Sequence, residues 1–247
     1  MNIKLIYPPS INSRERNCLY PLSLASLAGA LKGMPVHIEQ WDISLDIFKS
    51  QMYFEEALFR SSESILGELA NDKNAELLNE LAEDLLRGFP YSETDLVGIS
   101  ITGRNNLIPA LIVSRQIKKV SNATVVFGGP SMGWMYEELL EKFRFVDYCV
   151  CGEGELPFVM LVKYLSGERM RLSDIPGLAY KNRKRITGNQ PWVSDVSLLP
   201  IPEYDENIVA GYANSYNVLF GKKYRLLPYE ISKGCTNTCN FCAASSP

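Results

Sequence analysis

The sequence contains one histidine, His37, among its 247 residues. Ser-His-Asp and Cys-His catalysis both need an imidazole, and His37 lies between Val36 and Ile38 in a strand-like segment without a nucleophile beside it. We interpret His37 as a structural residue. The phosphate-loop motif G-x-x-x-x-G-K-S/T is absent, and a lone G-x-G at Gly152 and Gly154 is poor evidence for a dinucleotide. We therefore identify no conventional catalytic residues.

Long apolar runs are also absent. No segment reaches the roughly 18 apolar residues of a membrane span, and the start, MNIKLIYPPS, has too short an apolar run for a signal peptide. The net charge of −3 provides no general basic field for nucleic acid. Cys18, Cys149 and Cys151 are interpreted as reduced packing residues. We expect a cytoplasmic protein with neither a membrane nor a nucleic-acid partner.

A cysteine motif, CTNTCNFC, lies near the C-terminus of the sequence. It places Cys235, Cys239 and Cys242 in a C-x3-C-x2-C spacing, with Phe241 directly before the third cysteine. Three thiolates on one loop are too many for a disulfide and one too few for a closed zinc site. They suit a cubane iron-sulfur cluster with one open iron. A zinc knuckle without its fourth ligand, or a ferredoxin-type loop whose fourth cysteine lies elsewhere, is the alternative.

The first 170 residues alternate strand and helix patterns, which predicts a flavodoxin-like, doubly wound parallel sheet of about five strands. The predicted strands are Asn2–Tyr7, Val36–Asp42, Leu96–Ile101, Thr124–Phe127 and Val146–Cys151. The predicted helices lie near Pro21–Lys32, Asn106–Val120, Gly133–Phe143 and Glu155–Ser166.

Residues 45–95 form a helix-patterned, acidic insertion without a strand signal. Leucines recur near helical spacing, so we expect their side to pack on the sheet while the acidic side faces water. These leucines are Leu66, Leu69, Leu77, Leu78, Leu81 and Leu85.

The remaining sequence predicts two further parts. Residues 171–224 are expected to contain a small hairpin, at Gly177–Asn182 and Arg185–Gly188, followed by a proline-rich linker that leads away from the first domain. In residues 225–247, Leu227–Ser232 is predicted to be a strand that enters the cysteine motif. A strand followed by a ligand-bearing loop is typical of the start of a parallel barrel, so this part is expected to be the first strand of a truncated (β/α) barrel.

Several small and polar residues follow the predicted parallel strands. Ligands of open parallel sheets bind beyond the carboxyl ends of the strands, where the strand order reverses. The candidate cofactor-binding residues at these ends are Ser100, Thr102, Gly128, Gly129, Gly152, Glu153 and Gly154. The two glycines after the fourth strand would let a flat ligand lie against bare backbone.

Taken in order, these segments resemble the cobalamin-dependent radical S-adenosylmethionine enzymes. The resemblance rests on PLSLASLAGALK, LVGISITG, VVFGGPS, VDYCVCGEGE, IPGLAYKN and the cysteine motif, and it covers nearly the whole sequence except the acidic insertion. It implies an N-terminal cobalamin-binding domain and the start of a radical S-adenosylmethionine domain.

The resemblance also implies particular roles for residues. Cys235, Cys239 and Cys242 would ligate a 4Fe-4S cluster, S-adenosylmethionine would bind the open iron, and Phe241 would pack near the adenine. The corrin would lie on the sheet edge with its nucleotide tail against Ser100, Thr102 and the loop at Gly128 and Gly129, while Gly152, Glu153 and Gly154 would line the same pocket.

The activity implied is methyl transfer from methylcobalamin, aided by a 5'-deoxyadenosyl radical. The expected partners are a small-molecule or peptide-derived substrate and an electron donor such as flavodoxin or ferredoxin. The 247-residue chain alone is expected to be inactive, because contacts to S-adenosylmethionine would come from later strands. A cyclase or rearrangement enzyme of the same class, and a non-catalytic corrinoid-binding module, are the alternatives.

One motif of other cobalamin proteins is missing. Domains of the methionine-synthase type carry D-x-H-x-x-G after the first strand, whereas this sequence has PPSINSRERN there. The resemblance therefore implies a cobalt whose lower face lacks a protein imidazole.

Overall fold

The computed structural model describes residues 1–10, 19–45, 62–71, 76–91, 93–183, 185–190, 197, 199–220 and 225–233. Its strands are β1 (Asn2–Tyr7), β2 (His37–Asp42), β3 (Leu96–Ser100), β4 (Thr124–Gly128), β5 (Tyr148–Val150), β6 (Leu178–Asn182) and β7 (Arg185–Gly188). Its helices are α1 (Leu22–Ala30), α2 (Ser62–Ala70), α3 (Glu76–Leu85), α4 (Leu107–Val120), α5 (Met132–Lys142), α6 (Glu155–Leu165) and α7 (Glu206–Phe220).

The seven strands form one sheet in the order β2-β1-β3-β4-β5-β6-β7. The first five strands pair in parallel, and β6 and β7 extend the sheet as an antiparallel hairpin. The predicted flavodoxin-like sheet of five parallel strands is confirmed. The hairpin is also confirmed, but it extends this sheet because β6 pairs directly with β5.

Alternate side chains of the strands enter two separate cores, which is why the buried strands read as nearly continuous apolar runs. Val97, Ile99 and Phe127 face α2 to α5, whereas Leu5 and Val126 face α1, α6 and α7. Both faces of the sheet are therefore covered, as in a doubly wound fold.

The described helices of the acidic insertion pack as their leucine pattern predicts. Leu69, Leu78, Leu81 and Leu85 are buried in the core that includes α4, and Leu66 packs against that core. Leu77 is the exception and is exposed. The insertion thus covers one face of the sheet.

The segment after the hairpin does not lead away from the first domain. The Glu203 amide donates a hydrogen bond to the Ala25 carbonyl at 2.8 Å, and the Asp205 amide donates to the Tyr20 hydroxyl at 2.9 Å. A side chain at Gly29 would meet the Ile201 carbonyl oxygen at 2.2 Å, so glycine permits this close approach. The chain then continues into α7, a helix that was not predicted from the sequence, where a proline-rich linker was expected.

The predicted strand at Leu227–Ser232 is wrong, since the described residues 225–233 contain no strand. A strand needs a neighbouring strand with which its backbone forms hydrogen bonds. The contacts of this segment involve side chains instead. The Tyr204 hydroxyl donates to the Pro228 carbonyl, and Lys233 forms ion pairs. The boundaries proposed for the three parts of the chain stay a prediction.

Candidate functional site

The carboxyl ends of the five parallel strands lie level with one another. Register pairs Tyr7 with Asp42, Ser100 with Gly128, and Gly128 with Val150. The strand order reverses between β1 and β3, because β2 lies on one side of β1 and β3 lies on the other. This reversal creates a crevice at the carboxyl edge, the place where ligands of such sheets bind.

A polar cluster lies at this crevice. Tyr7 from the end of β1 and Thr102 after β3 share a hydrogen bond of 3.2 Å between their hydroxyl oxygens. Asn106, which is 3% exposed, donates from Nδ2 to Thr102 Oγ1 at 3.3 Å and accepts from the Gly103 amide at Oδ1 at 3.2 Å. Thr102 itself is exposed. The cluster therefore holds the Thr102 hydroxyl in a fixed position at the carboxyl edge, between β1 and β3.

The neighbouring glycines after β4 have different surroundings. A Cβ added to Gly128 would meet no atom within 4 Å, so its backbone faces open space. A Cβ added to Gly129, which has φ +118°, would lie 2.2 Å from the Ile101 carbonyl oxygen. Gly128 can thus offer bare backbone to a ligand, whereas Gly129 lets the loops after β3 and β4 pack together.

An aromatic side chain flanks the same loops. Trp134, in the first turn of α5, is 53% exposed, and the Arg104 guanidinium lies over its ring at 5.4 Å from the centroid. An added Cβ at Gly103 or Gly133 would meet no atom within 4 Å. The loops after β3 and β4 therefore combine open backbone with one exposed aromatic face, which suits a large, partly apolar ligand.

The GEGE loop after β5 carries an ionic cluster. Glu153 and Glu155 each accept a hydrogen bond of 2.6 Å from Nζ of Lys233. Burial by itself would lower the pKa of Lys233. The hydrogen bonds and charges of the two carboxylates outweigh this effect and raise the pKa to about 12. The ammonium therefore stays charged at neutral pH. Gly152 adopts φ +81°. A Cβ added to Gly154 would lie 3.6 Å from Cδ2 of Leu27. Both glycines thus help shape the turn into α6.

The remaining predicted site residues have different positions. Ser100 is buried at the end of β3, and its carbonyl oxygen accepts from Asn106 at 3.5 Å. His37 is exposed at the opposite, amino end of β2, where it pairs with Asn2 of β1 and contacts Glu39 at 3.3 Å. Five residues of β2, roughly 16 Å, separate it from the carboxyl edge, and the structural role assigned to it stays a prediction.

The six cysteines divide into two groups. Cys149 and Cys151 are buried, and burial raises the pKa of both thiols, that of Cys151 to about 11. They are packing residues, as predicted. Cys18, the cluster cysteines Cys235, Cys239 and Cys242, and the neighbouring Phe241 lie outside the described residues. Within the described ranges, His, Cys, Asp and Glu form no group that could hold a metal ion.

The B12 binding domain family model matches residues 14–162. The chain belongs to the B12-binding domain family. This match covers β2 to β5 and the loops after β3, β4 and β5, whereas β1 with Tyr7 precedes it.

Relatives and solved structures extend this assignment of the B12-binding domain. An uncharacterized methyltransferase of Pyrococcus horikoshii is 30% identical over 70% of this chain and 38% of its own length. An anaerobic magnesium-protoporphyrin IX monomethyl ester cyclase of Cereibacter sphaeroides is 26% identical over 71% of this chain and 26% of its own length. The chain thus spans well under half of the length of these curated relatives.

A solved structure shares the fold over almost the whole chain. It is the cobalamin-dependent S-adenosylmethionine radical enzyme OxsB with aqua-cobalamin and S-adenosylmethionine bound, with a TM-score of 0.63 and 19% identity over 98% of this chain and 28% of that chain. At 19% identity this likeness shows the fold, and together with the family match it confirms the cobalamin-binding part of the resemblance. In the described residues, no helix is long and apolar enough to cross a membrane.

Four residues at this edge were not identified as site residues from the sequence. Tyr7 and Asn106 support Thr102 from different elements, and Trp134 and Lys233 flank the edge loops. Tyr7 could have been identified from its position as the last residue of β1, because ligands of such sheets bind beyond the carboxyl ends of the strands. Lys233 had no such signal, since it lies 78 residues from Glu155.

Proposed function

We propose that the chain holds cobalamin at the carboxyl edge of its sheet, as part of a cobalamin-dependent radical S-adenosylmethionine methyltransferase. The observation that carries the proposal is that the open backbone at Gly128 and the Thr102 hydroxyl held by Tyr7 and Asn106 both lie at the carboxyl edge of a B12-binding fold. Such a site combines a surface for a flat ring with a fixed polar group for its substituents.

The residues present suit the cofactor in distinct ways. Gly128 would let the ring or its tail approach the backbone, and Thr102, fixed by Tyr7 and Asn106, would bind a polar group of the nucleotide tail. Trp134 would pack against an apolar side of the cofactor. Bound cobalamin would supply a cobalt-held methyl group. Because His37 lies at the amino end of β2, it would not hold the cofactor at this edge.

The cysteine motif supplies the second part of the proposal. Three thiolates, from Cys235, Cys239 and Cys242, are the donor set of a 4Fe-4S cluster with an open iron. Such a cluster, with S-adenosylmethionine and an electron donor such as flavodoxin or ferredoxin, would supply a 5'-deoxyadenosyl radical. Anaerobic reconstitution is expected to load about four iron atoms per chain. A stoichiometry of one zinc per chain would contradict this assignment and favour a zinc knuckle.

Cobalamin binding can be tested directly by titrating the chain with hydroxocobalamin and following its absorbance. We expect saturable binding accompanied by quenching of tryptophan fluorescence that is smaller in Trp134→Phe, because the exposed Trp134 indole lies beside the proposed site. Trp134→Ala should weaken binding by about 10-fold, as expected for loss of one aromatic contact, whereas Trp134→Phe should retain most of the affinity. Absence of saturable binding to the wild-type chain would overturn the proposal.

A second activity is favoured by a specific observation. The relative from Cereibacter sphaeroides, which matches 71% of this chain, is a cyclase by name, so a sequence like this one also occurs in a protein named for ring formation. Product analysis of the full-length enzyme with S-adenosylmethionine labelled in its methyl group separates the two. Label in the product supports methyl transfer, and an unlabelled, cyclised product supports the cyclase.

A further inference from the structure

Lys233 joins the segment 225–233 to the loop after β5 at the carboxyl edge. Its Nζ lies 2.6 Å from Glu153, 2.6 Å from Glu155 and 3.6 Å from Glu230. The Lys233 side chain is 15% exposed and that of Glu155 is 9% exposed, so this ion pair is largely shielded from water. Opposite charges in such a place interact more strongly than pairs on the surface.

The segment around Lys233 has weaker anchors elsewhere. Arg225 pairs with Glu206 where both side chains are exposed, and Pro228 accepts one hydrogen bond from Tyr204. Several apolar side chains of the segment are exposed, namely Leu226, Leu227, Tyr229 and Ile231. Among the described residues of 225–233, Lys233 thus makes the most buried charged contact.

Lys233 precedes Cys235 by two residues, and two peptide units span at most about 7 Å. Glu153 belongs to the loop that follows β5 at the carboxyl edge. We propose that Lys233 is a positioning residue that anchors the segment before the cysteine motif against Glu153 and Glu155, at the edge where the corrin is proposed to bind. The position of the corrin in this inference rests on the proposed function.

The anchor can be tested first without any cofactor. In Lys233→Gln, both glutamates lose their cationic partner, so the segment should detach locally. Chymotryptic cleavage after Tyr229 should become roughly ten-fold faster. Lys233→Arg should restore slow cleavage, because it keeps the charge. Lys142→Gln, which removes an exposed pair with Glu138, should cleave like wild type. Equal cleavage of Lys233→Gln and wild type would overturn the anchor.

A second measurement tests where the segment lies rather than how stable it is. The unpaired electron of bound cob(II)alamin broadens the NMR signals of nearby amides. In the wild-type chain, broadening should reach residues 229–233 as well as Thr102 and Gly128. In Lys233→Gln, it should be lost from residues 229–233 and kept at Thr102 and Gly128.

The outcomes separate the two proposals. Broadening at Thr102 and Gly128 but not at residues 229–233 of the wild type would overturn the positioning role while supporting the cobalamin site. No broadening at Thr102 and Gly128 would overturn the proposed cobalamin site, and the cleavage assay would still decide whether Lys233 is an anchor. Unchanged broadening of residues 229–233 in Lys233→Gln would also overturn the positioning role.

Discussion

Gly128→Val is expected to weaken hydroxocobalamin binding by about 100-fold while leaving the stability of the fold nearly unchanged, which corresponds to a loss of about 2.7 kcal/mol of binding free energy. Gly128 is the last residue of β4, and its φ is not in the left-handed region. An added Cβ would meet no protein atom within 4 Å. In the free protein, valine at this strand position costs little. In the complex, its methyl groups would occupy space proposed for the cofactor.

The measurement combines an absorbance titration with thermal unfolding of the same preparations. Gly67→Val is the matched control, because Gly67 lies on α2, away from the strand ends, and an added Cβ there also meets no atom within 4 Å. This control should bind hydroxocobalamin like wild type. If Gly128→Val keeps its affinity, the corrin does not lie against the backbone after β4, and its proposed position is wrong.

The strands and most helices of the B12-binding fold could be predicted because their causes are local. Apolar runs of five or six residues, such as Asn2–Tyr7 and Leu96–Ser100, are bounded by turns and alternate with amphipathic helices. Several helix ends were also readable. Gly33, for example, follows α1 with φ +84°, a conformation that favours glycine. The reversal of strand order then predicts which edge holds the ligand.

The contacts that complete the edge could not be predicted, because they join residues far apart in sequence. Thr102 was identified from its place after β3, but its partner Tyr7 is 95 residues away. Lys233 reaches Glu153 across 80 residues. A strand was predicted for Leu227–Ser232 because its local pattern is extended. The structure shows no strand there, and this segment is instead held by the contacts of Tyr204 with Pro228 and of Lys233 with Glu153 and Glu155.

The difference between Gly128 and Gly129 also depends on distant residues. Both glycines suit a ligand-binding turn, and the sequence assigns them the same role. The structure separates them, because only Gly129 faces the backbone of Ile101, whose amide donates a 2.7 Å hydrogen bond to the Gly128 carbonyl. One glycine is thus available to a ligand, and the other is needed for the contact between two loops.

Gly129→Val is accordingly expected to destabilise the fold by about 4 kcal/mol, in contrast to the same substitution one residue earlier. Its φ of +118° is unfavourable for any L side chain, and the new Cβ would lie 2.2 Å from the Ile101 carbonyl oxygen. Since the obstructing atom belongs to the backbone, the loops after β3 and β4 must separate. The midpoint of thermal unfolding should fall by about 10 °C.

Comparison of the two valine variants distinguishes a structural glycine from a ligand-binding one. Gly128→Val should unfold at nearly the wild-type temperature and lose cofactor affinity. Gly129→Val should unfold earlier even without cofactor, and any loss of its affinity should accompany that instability. If both variants unfold at the same temperature, the close contact between Gly129 and Ile101 is not a feature of the native edge, and the open backbone at Gly128 that depends on the same loop geometry loses its support.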